Sequence, residues 1–155
     1  MEAHSRWYDG IVKEINLHKD ILSQKDAKKY KLDLLLRVAK RVDSFSSGCG
    51  QCQMFQQDIT RLTQELGYMV QMPNKETRKS YFKTINNIIK HLQKQHKLVT
   101  EGHYIGIGIA IGVGIGTALG AVLGNPGIGP GIGAVIGLAI GKYLDNKAKK
   151  EGKVI

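Results

Sequence analysis

Apolar residues recur at helical spacing in four blocks of the first 101 residues, which predicts four amphipathic helices. The four stripes consist of Trp7, Ile11, Ile15 and Leu22; of Leu32, Leu35, Leu36, Ala39, Val42 and Phe45; of Phe55, Ile59, Leu62, Leu66 and Met69; and of Tyr81, Phe82, Ile85, Ile88, Ile89 and Leu92. Turn-forming residues separate the blocks at 23–25, 44–50 and 67–74. We therefore expect an all-α fold in which residues 1–101 form an up-and-down four-helix bundle.

The pattern changes at Gly102, because Gly102–Gly141 contains no Asp, Glu, Lys or Arg and holds 14 of the 19 glycines. Forty uncharged residues are about twice what one bilayer crossing needs. Asn125, Pro126 and Gly127 follow Gly124 in the middle of this run and predict a turn at 124–127. The sequence thus predicts a two-helix membrane hairpin over 102–144, followed by a basic tail over 145–155.

Two rows of glycines spaced by four run through the predicted hairpin. They are Gly108, Gly112, Gly116, Gly120 and Gly124, and then Gly129, Gly133, Gly137 and Gly141. Residues four apart lie on one side of a helix, and absent side chains let two backbones approach closely in lipid. The pattern over 102–144 resembles the glycine-zipper two-transmembrane families of bacterial membrane proteins. That resemblance implies insertion as a hairpin and self-association, so a homo-oligomer is expected, and it implies no activity.

Strand alternatives remain open for this run. Residues 105–116 alternate with period two, as a membrane β-strand would. A β-hairpin of an oligomeric barrel, and an amyloid-like or buried soluble hairpin, are therefore alternatives to the helices. The four-residue period of 133–141 and the presence of Pro130 favour helices.

The distribution of charged residues predicts how the chain is oriented relative to a membrane. The formal net charge is +10, and lysines flank both ends of the uncharged run. Met1–Gly10 has no apolar stretch of the kind that a signal peptide needs. The positive-inside rule then predicts a multi-pass protein of the cell membrane with both termini in the cytoplasm.

The basic helix faces have three readings: a solvated surface, a surface drawn to anionic lipid, or one that contacts nucleic-acid phosphates without sequence specificity. No nucleic-acid recognition motif accompanies the charge, so nucleic acid is not expected as a partner. The lipid bilayer and its anionic lipids are expected, and a protein partner stays undefined.

Cys49 and Cys52 form a C-x-x-C motif at the predicted start of the third helix. The spacing suits an inert reduced pair, a redox pair or half of a zinc site. A tetrahedral zinc site needs two further ligands, and His91 and His96 are five apart, which places them poorly for one helix face. His4 and His18, or the cysteines of a second protomer, are the other sources. Zinc at the cysteine pair is the only cofactor considered.

No nucleophile-and-base arrangement is recognisable, so we expect no enzymatic activity. Three functions remain: a membrane-active protein whose hairpin oligomerises and alters permeability, a membrane scaffold whose bundle recruits a partner, and a thiol or zinc sensor built on Cys49 and Cys52.

Overall fold

The computed structural model describes residues 6–125 and 127–155, and over these residues the chain is all-helical with no extended strand. The seven helices are α1 (Arg6–Ile21), α2 (Gln24–Lys29), α3 (Leu32–Ser46), α4 (Gly50–Gln71), α5 (Lys75–His96), α6 (His103–Val122) and α7 (Gly129–Lys150). The all-α expectation is confirmed. The β-strand alternative for 105–116 is wrong, because these residues lie inside α6.

The helices separate into two compact units. The first comprises Met1–His96 with Ile155, and the second comprises Lys97–Val154. The division therefore falls a few residues before the predicted boundary at 101. The basic tail expected over 145–155 is not separate from the second hairpin segment, because α7 continues through it to Lys150.

The first unit contains five helices where the apolar stripes predict four. The additional helix is the six-residue α2, whose first turn is capped by the Ser23 hydroxyl accepting from the Asp26 N–H at 3.1 Å. Stripe residues of α1, α3, α4 and α5 are buried together in the core: Ile11, Ile15, Leu35, Val42, Ile59, Leu66, Ile85, Ile88 and Leu92. Aliphatic burial is thus the main force that holds this unit together.

The second unit is formed by α6 and α7, which run antiparallel with their glycine rows in contact. A Cβ placed on Gly112 would meet the carbonyl group of Gly133, with the carbonyl carbon at 2.9 Å, and one on Gly116 would meet that of Gly129. Gly108 faces Gly137 in the same way. Side chains larger than hydrogen at these positions would force the backbones apart, so the close approach depends on glycine.

Gly124 lies in the turn between α6 and α7, as the predicted turn at 124–127 has it, but it does not take part in the packing row to which its spacing also assigns it. Gly124 follows the end of α6 with a φ of +71°, and a Cβ there would meet nothing within 4 Å, so this residue belongs to the turn and not to the packing row. Asn125 closes the turn by donating its N–H to the Gly120 carbonyl at 2.8 Å, and Gly127 follows in the same turn. Pro126 lies outside the described residues.

The expected multi-pass topology, with both termini in the cytoplasm, is wrong. Among the described helices only α6 is long and apolar enough to cross a bilayer, and it is largely exposed. The reason lies in α7, where the uncharged part, Gly129–Gly141, is shorter than the roughly 20 residues that a crossing needs. Beyond it the same helix carries Lys142, Asp145 and further lysines.

Asp145 caps the N-terminus of α6, a contact that the sequence pattern did not predict. Its side chain is buried, and its two carboxylate oxygens accept from the backbone N–H groups of Tyr104 at 3.2 Å and Ile105 at 3.1 Å. The N-cap position of α6, Gly102, has no side chain for this purpose, so a carboxylate from α7 satisfies the free N–H groups instead. The negative charge also suits the positive end of the α6 dipole.

Candidate metal centre

Cys49, Cys52, His91 and His96 lie together in the first unit, with one ligand atom from each within 4.8 Å of the others. The cysteines come from the beginning of α4: Cys49 is its N-cap residue and Cys52 lies in its first turn. The histidines come from the last turns of α5, which ends at His96. Because α4 and α5 are joined at their other ends by a short loop, the cluster lies at the open end of a helical hairpin.

Three of the six distances between the ligand atoms match those of a tetrahedral zinc site. Nε2 of His91 is 3.4 Å from the Cys49 sulfur and 3.6 Å from the Cys52 sulfur, and Nε2 of His96 is 3.4 Å from the Cys52 sulfur. Zinc binds sulfur at about 2.3 Å and nitrogen at about 2.0 Å, so a tetrahedron places these ligand atoms about 3.5 Å apart. Both histidines present the same ring nitrogen, Nε2, as is common in zinc sites.

The Cys52 sulfur is within hydrogen-bonding distance of the nitrogens of both His91 and His96. In metal-free protein its thiol can donate to one of these nitrogens and accept from the other, according to the imidazole tautomers. A cation at the centre would accept a lone pair from every one of the four atoms. The cluster could therefore bind a metal ion.

Aromatic rings hold both imidazoles in place. The ring of Phe45 stacks on His96 with centroids 3.9 Å apart and planes 17° apart, and Phe55 packs edge-on against His91 at 5.3 Å. Neighbours that fix the orientation of ligand side chains favour metal binding, because less conformational freedom is lost when the ion binds.

The expectation that His91 and His96 are poorly placed for one site is wrong. Five residues correspond to about 140° around a helix, so the two side chains leave α5 in different directions. The Cys52 sulfur lies between them and contacts both, which makes a shared helix face unnecessary. The spacing H-x₄-H following C-x₂-C falls within the range of zinc sites and was the available signal.

The other histidines proposed as ligands do not join the cluster. The His18 ring lies against Gly67 of α4, 3.5 Å from where a Cβ on that glycine would be. His4 lies outside the described residues.

The two thiols have different environments. The backbone N–H of Cys52, in the first turn of α4, lowers the pKa of the Cys49 thiol below its ordinary value. Burial raises the pKa of Cys52 to about 12, with a contribution from Cys49. Burial and the neighbouring His96 lower the pKa of His91, which keeps its imidazole neutral and able to act as a ligand.

Comparison of the chain with family models, with curated proteins and with solved structures finds no match. The fold and the cluster define the protein as an all-helical chain with a candidate four-ligand metal centre, and the resemblance of 102–144 to glycine-zipper families stays a prediction.

Proposed function

We propose that the first unit is a zinc-binding helical domain whose metal joins the start of α4 to the end of α5. The single observation that supports this most strongly is the convergence of two sulfurs and two imidazole nitrogens within 4.8 Å, with three sulfur-to-nitrogen distances at the edge length of a zinc tetrahedron. Cysteine and neutral histidine are the ligands that zinc prefers, and the same set disfavours magnesium and calcium, which prefer oxygen.

The role of the zinc is structural and not catalytic in this proposal. Four protein ligands fill a tetrahedral coordination sphere, whereas catalytic zinc keeps one position for water or substrate. The ion would close a long hairpin at its open end, and binding free energy would appear as stability of the fold. The proposal keeps the chain non-enzymatic and includes the thiol or zinc sensor. A two-electron oxidant such as hydrogen peroxide, itself reduced to water, would join the two thiolates of Cys49 and Cys52 in a disulfide and so release Zn²⁺.

Metal analysis of the full-length protein, purified under reducing conditions, tests this assignment. We expect about one zinc per chain, lost in Cys52→Ser and strongly weakened in His96→Ala. His103→Gln is the matched control and keeps the metal, because His103 starts α6 and is not among the four ligands.

Cobalt substitution provides an independent readout. Replacing zinc with Co²⁺ should give the intense visible absorption of tetrahedral cobalt together with sulfur-to-cobalt charge transfer. A zinc content unchanged in His96→Ala and in the corresponding His91 variant would instead indicate a site made from the cysteines of two protomers. Absence of stoichiometric zinc together with a featureless cobalt spectrum would overturn the proposal.

A second function rests on the surface of the second unit, which we propose contacts lipid and self-associates. Aliphatic side chains that would be buried in a soluble domain are exposed on both helices, among them Ile111, Ile115, Leu119, Ile132 and Ile136. A further row of small residues on α6, Gly106, Ala110, Gly114 and Ala118, is exposed and faces away from α7. Two copies of α6 could approach closely along this row.

Vesicle leakage and particle size test this second function. If α6 and α7 of several chains associate in the bilayer and alter its permeability, dye release should rise with protein density on the vesicle. Gly114→Leu should reduce both the release and the oligomer size. Lipid binding without any release would leave a membrane scaffold. A monomer that ignores vesicles would remove both roles.

A further inference from the structure

One face of α5 carries an unusual concentration of positive charge that the metal centre does not use. The helix contains six Lys or Arg residues and a single acidic residue, Glu76. Five of the cations lie within about 140° of one another around the helix and therefore share one side of it. We call them, with the aromatic ring among them, the α5 cationic face: Lys75, Arg78, Lys79, Lys83, Lys90 and Phe82.

Among the described residues, none of these charges forms an ion pair with a carboxylate. All five cations are exposed, and the ion pairs of the first unit include Lys19 with Asp33 and Arg61 with Asp58, neither of which involves α5. Like charges four residues apart on a helix repel one another, so the row destabilises the isolated helix. An anionic surface that neutralised several of them together would remove that repulsion.

The geometry points to a bilayer surface containing anionic phospholipid as the partner, and we propose that the α5 cationic face docks there. The row extends over the sixteen residues from Lys75 to Lys90, or about 23 Å along a helix, so a flat surface can meet all five charges at once. Phe82 is half-buried in the middle of the row, and an aromatic ring among lysines suits the headgroup level of a membrane.

The apolar helix α6 also favours contact between this chain and lipid. α6, the next helix along the chain, is apolar enough to enter a bilayer, and basic segments that adjoin such a helix in sequence are attracted to anionic headgroups. This proposal does not depend on zinc. It concerns only the difference in binding affinity between anionic and neutral lipid. The apolar surface of α6 and α7 does not create that difference.

Binding of the full-length protein to vesicles tests the proposal, with phosphatidylcholine alone compared with phosphatidylcholine containing phosphatidylserine. We expect tighter binding to the anionic vesicles, weakened by salt. The double variant Lys79→Gln/Lys83→Gln should lose that preference on the order of tenfold or more. The matched control, Lys25→Gln/Lys28→Gln, removes two exposed charges from α2 and should change it by less than about threefold.

Three results would overturn the proposal. The first is an equal affinity of the unmodified protein for both vesicle types, and the second is an equal loss in the α5 and α2 double variants. The third comes from binding to a short DNA duplex, which is measured in parallel. If the α5 variant weakens binding to the duplex and leaves the vesicle preference unchanged, the face contacts nucleic acid and the lipid proposal fails. The pair Lys75→Gln/Lys90→Gln repeats the test at the ends of the row, and circular dichroism confirms that each variant keeps its helices.

Discussion

Replacing Gly112 by Ala should weaken the contact between α6 and α7, whereas the same change two residues later should strengthen α6. A Cβ on Gly112 would lie 2.9 Å from the carbonyl carbon of Gly133 and 3.2 Å from the Cα of Gly137, and both obstacles are backbone atoms that cannot rotate away. A Cβ on Gly114 would meet nothing within 4 Å. The two substitutions therefore differ only in what the new methyl group touches.

The magnitudes follow from this difference. Alanine is favoured over glycine inside a helix by about 1 kcal/mol, and both variants gain this amount. Overpacking costs about 1–3 kcal/mol, and only Gly112→Ala incurs it. The helices would have to separate by about half an ångström or more, which weakens dispersion contacts along the whole glycine row.

Hydrogen exchange measured by mass spectrometry in mild detergent follows α6 and α7 apart from the other helices. The free-energy difference of 1–3 kcal/mol corresponds to protection in Gly112→Ala that is lower than in Gly114→Ala by about 5- to 150-fold. Equal protection in the two variants would refute the reasoning, because it would mean that the glycine rows are not in close contact.

Three further predictions concern the N-terminus of α6 and the metal centre. Asp145→Ala should cost about 1–2 kcal/mol and increase exchange in the first turn of α6, since two N–H groups lose their acceptor, whereas Asn146→Ala should have little effect. In metal-free protein Cys49 should be alkylated before Cys52, because it is less buried and its thiol pKa is the lower of the two; peptide mass spectrometry would contradict this if Cys52 reacted first. Zinc affinity should rise with pH, because zinc binds the deprotonated thiols. The rise should be about 100-fold per pH unit while both thiols must release a proton, and about tenfold per unit above the pKa of Cys49, where only the Cys52 thiol is still protonated. A competition titration with a chelator would show a flat profile if the thiols were not ligands.

The helices of the first unit could be predicted because apolar spacing reports directly on which face of a helix is buried. Ile15, Leu35, Ile59 and Ile88 fall on the predicted stripes and are fully buried. The short α2 has no buried residue, so no stripe could reveal it. The length of α7 was not predicted either, because the uncharged run ends at Gly141 whereas the helix continues through Lys142 and the lysines beyond it to Lys150.

Only half of the candidate metal centre could be predicted from the sequence. The spacing of Cys49 and Cys52 is local and can be read from the sequence, whereas the contribution of His91 and His96 depends on how α4 and α5 pack. A rule that assigns ligands to one helix face assumes that the ion lies beside that helix. Here the cluster lies where two helix ends meet, and a sulfur placed between two diverging imidazoles replaces the shared face. The carboxylate of Asp145 was hidden in the same way, because its partners are 40 and 41 residues away.

The two units depend on different sources of cohesion, and this determines how each can be perturbed. In the first, large aliphatic side chains are buried, so truncating Ile59 or Leu66 would create a cavity and cost several kcal/mol by itself. In the second, the helices contact each other through backbone atoms, and the aliphatic side chains point outward where truncation leaves no cavity. Enlargement at the glycine rows is the damaging change there. The outward side chains stabilise binding to lipid or to a second copy and not the contact between α6 and α7. Replacing Ile115 by a polar residue should therefore leave that contact intact and weaken only binding to lipid or to a second copy.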